Sequence, residues 1–116
     1  MTGRWVILSV VVAVGAGCTS STAPYPAWVT SLIQELESEP VANPPASLTR
    51  YAYQGQVVYY LPPRCCDIPS NLYNDAGVII CHPDGGLTGT GDGLCPDFLA
   101  QRSNGTLIWR DPRGAG

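Results

Sequence analysis

The stretch Leu48-Thr49-Arg50-Tyr51-Ala52-Tyr53-Gln54-Gly55-Gln56-Val57-Val58-Tyr59-Tyr60-Leu61 decides the fold. Two runs rich in β-formers flank Gln54-Gly55, a two-residue turn with glycine, and this pattern predicts a β-hairpin. The turn sets the register. Ala52 faces Val57, Arg50 faces Tyr59 and Leu48 faces Leu61 on one side, leaving Tyr51, Tyr53, Val58 and Tyr60 on the other. Both sides carry large residues, so alternation alone does not select the core face. A tyrosine hydroxyl needs a partner, which makes the tyrosine side the expected wetter one. Pro62-Pro63 closes the second strand.

Before the hairpin, Ala27–Glu39 reads as a helix. Trp28, Leu32, Ile33 and Leu36 recur at helical spacing and form one apolar stripe. Pro26 suits the first turn, where its missing N–H is no loss, and Pro40 enforces the end. Glu35, Glu37 and Glu39 crowd the C-terminus, which the helix dipole disfavours. Arg50 is the candidate cation to offset them. Val41–Ala46, with Asn43-Pro44-Pro45, is expected to be extended.

Beyond the hairpin, Cys65–Tyr73 is expected to be irregular, with Leu72 turned inward. Asn74–Gly77 is a turn and Val78-Ile79-Ile80-Cys81 a short buried strand. His82–Gly86 is another turn, followed by the glycine-spaced run to Leu94. Phe98–Arg110 reads as a second hairpin around Asn104-Gly105. Asn104-Gly105-Thr106 also fits a glycosylation sequon, but the turn is the expected role. The expectation is an α+β domain over 27–110: one N-terminal helix on a small antiparallel sheet, stapled by two disulfides. Residues 111–116 read as a frayed tail.

The chain of 116 residues allows one small domain. Its first 17 residues are set apart: Arg4, an apolar run from Trp5 to Val14, then small residues, the layout of an export signal. The run falls short of the roughly 20 apolar residues that span a bilayer. Val14-Gly15-Ala16-Gly17-Cys18 resembles a bacterial lipobox, departing from it at Gly15. That resemblance implies a diacylglyceryl group, and so fatty acyl chains such as palmitate, on Cys18 as the first mature residue. The count of five cysteines agrees, because lipid on Cys18 leaves an even four. Residues 18–26, rich in Ser, Thr, Ala and Pro, form a tether. The expected location is the bacterial cell envelope, lipid-anchored to the outer membrane where two membranes exist.

With nine acids, six arginines and no lysine, the net charge is −3. There is no basic stripe to track phosphates, which argues against a nucleic-acid partner.

From Trp28 to Phe98 the chain resembles a family of small bacterial lipoproteins catalogued as a domain of unknown function. The resemblance lies in Ser38-Glu39-Pro40 with Asn43-Pro44-Pro45 and in the Tyr-rich hairpin with Gly55. Cys65-Cys66-Asp67, Leu72-Tyr73 and Ile80-Cys81 with Pro83 and Gly85-Gly86 extend it. Thr88-Gly89, Gly91-Asp92-Gly93 and Cys95-Pro96 with Phe98 complete it. It implies an exported, disulfide-bearing domain and no known activity.

Cys65 and Cys66 are adjacent, not spaced as Cys-x-x-Cys, so they read as structural. Their Cα atoms lie about 3.8 Å apart across a trans peptide, under the ~4.4–6.8 Å of a relaxed disulfide. Each is therefore expected to bridge away from the other: Cys65–Cys81 with Cys66–Cys95, or the exchanged pairing. His82, the lone histidine, precedes Pro83 in a turn and lacks a nucleophile beside it. No cofactor is expected. Asp84, Asp92 and Asp97 sit in glycine-rich loops with hard oxygen donors and are the weak Ca²⁺ candidates. Their spacing misses the EF-hand pattern, and aspartate is an ordinary turn residue. The functional expectation is a noncatalytic structural or binding module of the envelope, with an envelope protein or ligand as its partner. The alternative is an inhibitor-like or ligand-binding domain that presents Pro83–Gly93.

Overall fold

The computed structural model describes residues 2–3, 24–64 and 67–114. The rest of the signal segment, Cys18, residues 19–23 of the tether, Cys65, Cys66 and residues 115–116 lie outside them. The architecture is α+β: one main helix and a five-stranded antiparallel sheet. Helix α1 spans Ala27–Ser38. Strands β1 (Ser47–Tyr53), β2 (Gln56–Leu61), β3 (Asn71–Asn74), β4 (Ile79–Cys81) and β5 (Ser103–Arg110) order as β4-β3-β2-β1-β5. A short helix α2, Phe98–Gln101, precedes β5.

The central hairpin forms in the expected register, with Arg50 opposite Tyr59 and Ala52 opposite Val57. Gln54 and Gly55 both have positive φ, 52° and 73°, the backbone of a type I′ turn whose twist matches the strands. Both faces of the hairpin are covered away from its turn, where Val57 stays exposed. One face holds Leu48, Tyr59, Leu61 and Tyr73 and is covered by α1 through Val29 and Leu36. The other holds Tyr53, Val58, Tyr60 and Leu72 and is covered by Cys81, Cys95 and Phe98. The expectation that the tyrosine side faces water is thus corrected. The connection from β4 at one edge to β5 at the other must cross that face, and it brings its own apolar groups. Phe98 is fully buried and meets Tyr51, Tyr53 and Tyr60 at ring-centroid distances of 5.7, 5.2 and 5.4 Å. Such aromatic pairs add roughly 0.5–1.5 kcal/mol each beyond area burial.

On the helix side, Val29 and Leu36 are buried, while Trp28, Leu32 and Ile33 pack at the margin. Trp28 lies edge-on to Tyr59 at 5.1 Å, and its indole N–H donates to the Asp75 carbonyl at 2.9 Å. Gly77, at φ +83°, lets the ring close in: a Cβ there would stand 2.8 Å from it. The cation at the acidic helix end is Arg113, not Arg50. Arg113 donates to the carbonyls of Glu39 and Leu36, and its guanidinium is paired with Asp111. Arg64 pairs with the Glu39 carboxylate. Arg50 instead donates to the carbonyl of Pro24, just before α1.

Three further expectations are corrected. Phe98–Arg110 is not a hairpin. Asn104-Gly105 forms a bulge within β5, where Arg50 and Ala52 of β1 oppose Thr106 and Ser103. Asn104 has the positive φ, 54°, that suggested a turn, and a bulge uses the same backbone. The apolar run at Val78–Cys81 is an edge strand, with Ile79 and Ile80 exposed at 45% and 40%, because only β3 flanks it. The segment after Arg110 is not frayed up to Gly114. Asp111 is buried, its N–H donates to the Ala46 carbonyl, and Pro112–Gly114 forms a 3-10 turn.

The sheet has two distinct ends. Val58 pairs with Tyr51 on one side and Asn74 on the other, so the 54–55 and 75–77 turns share one end. Helix α1 starts there, at Trp28 beside Asp75. It finishes at the opposite end, where Arg113 caps it next to the Ala46–Asp111 bond.

Candidate functional site

The segment between β4 and α2 is the candidate site. Cys81 and Cys95 are bonded to each other, with Cα atoms 6.1 Å apart. This corrects the expected pairing of each with Cys65 or Cys66, and one disulfide is present among the described residues. Adjacent cysteines carry no register to show which distant thiol they meet. Cys81 and Cys95 share the core patch around Phe98, and that burial brings them together.

The enclosed loop is braced along its length. The Asp92 N–H donates to the His82 carbonyl at 2.9 Å, and the His82 N–H returns a bond to the Asp92 carboxylate at 3.1 Å. The Leu94 N–H donates to the same carboxylate. These backbone bonds, Leu94's first, hold the Asp92 carboxyl below the usual aspartate range. Gly91 passes against His82 with φ +68°, and a Cβ there would fall 1.9 Å from the His82 carbonyl oxygen. Only glycine fits that approach.

The loop is also tied to the sheet. Ser70, fully buried, exchanges bonds with the backbone N–H and carbonyl of Asp84. The Tyr60 hydroxyl donates to both oxygens of the Asp84 carboxylate at 2.8 and 3.0 Å, and the Tyr53 hydroxyl to Asp97 at 2.5 Å. Burial, then the Asp84 bond, pushes the Tyr60 hydroxyl well above its ordinary pKa. Accepting from Tyr53, the Asp97 carboxylate raises that hydroxyl to about 12. Tyrosines on one strand face and aspartates in the loop are therefore two halves of one set of contacts.

This accounts for the Ca²⁺ candidates. Asp84 and Asp97 each accept a tyrosine hydroxyl, and Asp92 accepts two backbone N–H groups. The three serve different anchors. Among the described residues no group of three or more His, Cys, Asp or Glu side chains is placed to hold a metal. His82 lies beside its loop rather than free in a turn. Its Nδ1 sits 2.8 Å from the Ser70 carbonyl, an acceptor, so Nδ1 carries the proton. The Ser70 hydroxyl donates to the Asp84 carbonyl and accepts from its N–H, both at 3.1 Å.

Two leucines stand among the exposed residues of the loop, with Thr88, Thr90 and Asp92. Leu87 is 87% exposed and Leu94 73%. Beside Leu87 runs a cleft of about 340 Å³ lined by Asp67, Pro69, His82, Leu87, Thr88 and Asp92, among others. A larger cleft of about 530 Å³ lies between Pro44-Pro45 and Arg110–Gly114. Its acid, Asp111, is already committed to Arg113, which leaves proline walls and the Arg110 side chain. No sequence signal marked Leu87, since one leucine among glycines has no periodicity.

No curated protein and no solved structure matches the chain. The match to a protein family covers residues 34–111, from the middle of α1 to the buried Asp111, and so includes the loop and both of its anchors. The chain belongs to the family described as Domain of unknown function (DUF6970).

Proposed function

We propose that the protein is a noncatalytic binding module of the bacterial cell envelope, held by a lipid on Cys18, with the 82–94 loop as its recognition element. The exposure of Leu87 on a braced loop carries this reading. An isolated surface leucine is ordinary. A leucine in a loop closed by a disulfide and pinned at Asp84 and Asp92 is held in one place. A loop ordered beforehand loses less freedom on binding.

Cys65 and Cys66 stand outside the Cys81–Cys95 bond, and a non-reducing peptide map of alkylated, envelope-purified protein reads their state directly.

The test of the function compares immobilised wild type with Leu87→Asp, at matched melting temperature, for retention of components from an envelope extract. A component held by wild type and lost by the variant is expected. Equal retention by both removes the loop from the recognition surface.

A further inference from the structure

We infer that the anchored domain stands with the turn end of its sheet against the phospholipid surface, and that the 82–94 loop projects from the far end, away from the bilayer. This rests on the proposed lipid anchor at Cys18 and adds to it an orientation.

The attachment point is built. The Pro24 carbonyl accepts from Arg50, Tyr25 packs into the helix-side core, and α1 begins two residues later at Ala27. The chain is thus fixed to the domain from Pro24 onward. Six residue steps separate Cys18 from Pro24, and at ~3.3–3.6 Å each they reach at most about 22 Å. That leash ends beside the 75–77 turn, because Trp28 is bonded to Asp75. The leash is therefore fixed to the domain at one end of the sheet, the end nearest the lipid surface.

The loop is at the other end. Pro69 bridges to Gly85, and the Ser70 N–H donates to Asp84, both next to the Leu61–Asn71 pair that finishes β2. Strand β1, with seven residues, is about 20 Å long at ~3.3 Å per residue. The loop also lies on the sheet face opposite α1. It is displaced from the leash both along the strands and through the sheet.

Charge agrees. Gln54, Gly55, Gln56, Ala76, Gly77 and Val78 leave Asp75 as the one acid of the two turns at the leash end, with Asp97 beside them on Tyr53 and Arg50 close by. Glu35, Glu37 and Glu39 fall in the far half of α1, at the end that also holds Arg64, Arg110 and Arg113, and the orientation keeps these three acids from anionic headgroups.

The experiment uses mature, envelope-purified protein in vesicles of phosphatidylethanolamine and phosphatidylglycerol carrying a headgroup-linked nitroxide quencher. A fluorescent unnatural amino acid replaces Gln56 in one preparation and Leu87 in another. Intact mass first reports whether Cys18 is acylated. Quenching at Gln56 and none at Leu87 is the expected result. A flexible Gly-Ser insertion after Thr19 should lower the quenching at Gln56, since a longer leash no longer holds that end down. Acylated protein with Leu87 quenched as strongly as Gln56 overturns the orientation and leaves the anchor standing. Protein without acyl groups on Cys18 overturns the anchor and the orientation together.

Discussion

Replacing Cys81 and Cys95 together by alanine should cost the domain about 3 kcal/mol. The bond closes a loop with a sequence separation of 14. The chain-entropy argument gives about 3 kcal/mol at 25 °C for a closed loop of ~15 residues. A domain of this size has about 5–15 kcal/mol in all, so the loss is a large share. Packing adds a smaller term, because both sulfurs lie in the buried patch around Phe98. The paired substitution is preferable to a reductant, which would also open any bond at Cys65 or Cys66. Urea unfolding monitored by far-UV circular dichroism reads the change in midpoint, and an unchanged slope shows that the two-state comparison holds. Hydrogen exchange should place the first effect on the amides of Gly91 and Asp92, whose bonds to Gly85 and His82 close the loop. A midpoint shift worth less than about 1 kcal/mol, with loop exchange unaltered, would refute the view that this bridge holds the loop in shape.

Phe98→Ala should cost about 3–5 kcal/mol, since it empties the centre of the loop-side core, whereas Phe98→Leu should stay below about 1.5; thermal or urea unfolding separates the two. Gly91→Ala places a Cβ on the His82 carbonyl oxygen in a left-handed backbone and should cost more than the roughly 1–3 kcal/mol of backbone strain alone. Gly89→Ala, with φ +76° and nothing within 4 Å, bears the strain without the clash and is its control in the same unfolding assay. The Asp92 carboxyl is depressed in the folded state, so its stabilisation is complete above the ordinary value of 3.8 and is lost as pH falls below it. Exchange protection of the Leu94 amide should fall across that acid window in wild type and be flat in Asp92→Asn.

The parts of the fold legible in sequence were the local ones. The 48–61 hairpin was readable because its turn chemistry and its alternation lie within one short stretch. Helix α1 was readable from its stripe and flanking prolines, although Val29, fully buried at the centre of that stripe with Leu32, Ile33 and Leu36 at i+3, i+4 and i+7, was not named as part of it. Strand β3 was not readable, because Asn71-Leu72-Tyr73-Asn74 is four residues long with polar ends. Asn104-Gly105 signalled positive φ correctly but could not say whether a turn or a bulge would use it. The candidate site was hidden by distance. Tyr60 meets Asp84 across 24 residues and Tyr53 meets Asp97 across 44, so neither pattern shows its partner. The same holds for Arg113, which satisfies the acidic end of α1 from 74 residues away. Glu35, Glu37 and Glu39 showed that a cation was needed without showing which.

Photo-crosslinking in living cells tests the central claim most directly. A photoreactive amino acid replaces Leu87 in one strain and Glu35, exposed on the outer side of α1, in another. If the 82–94 loop is the recognition element, Leu87 gives a discrete adduct to an envelope component and Glu35 does not. Adducts of the same pattern at both positions, or none at Leu87 in protein that is exported and folded, would contradict it.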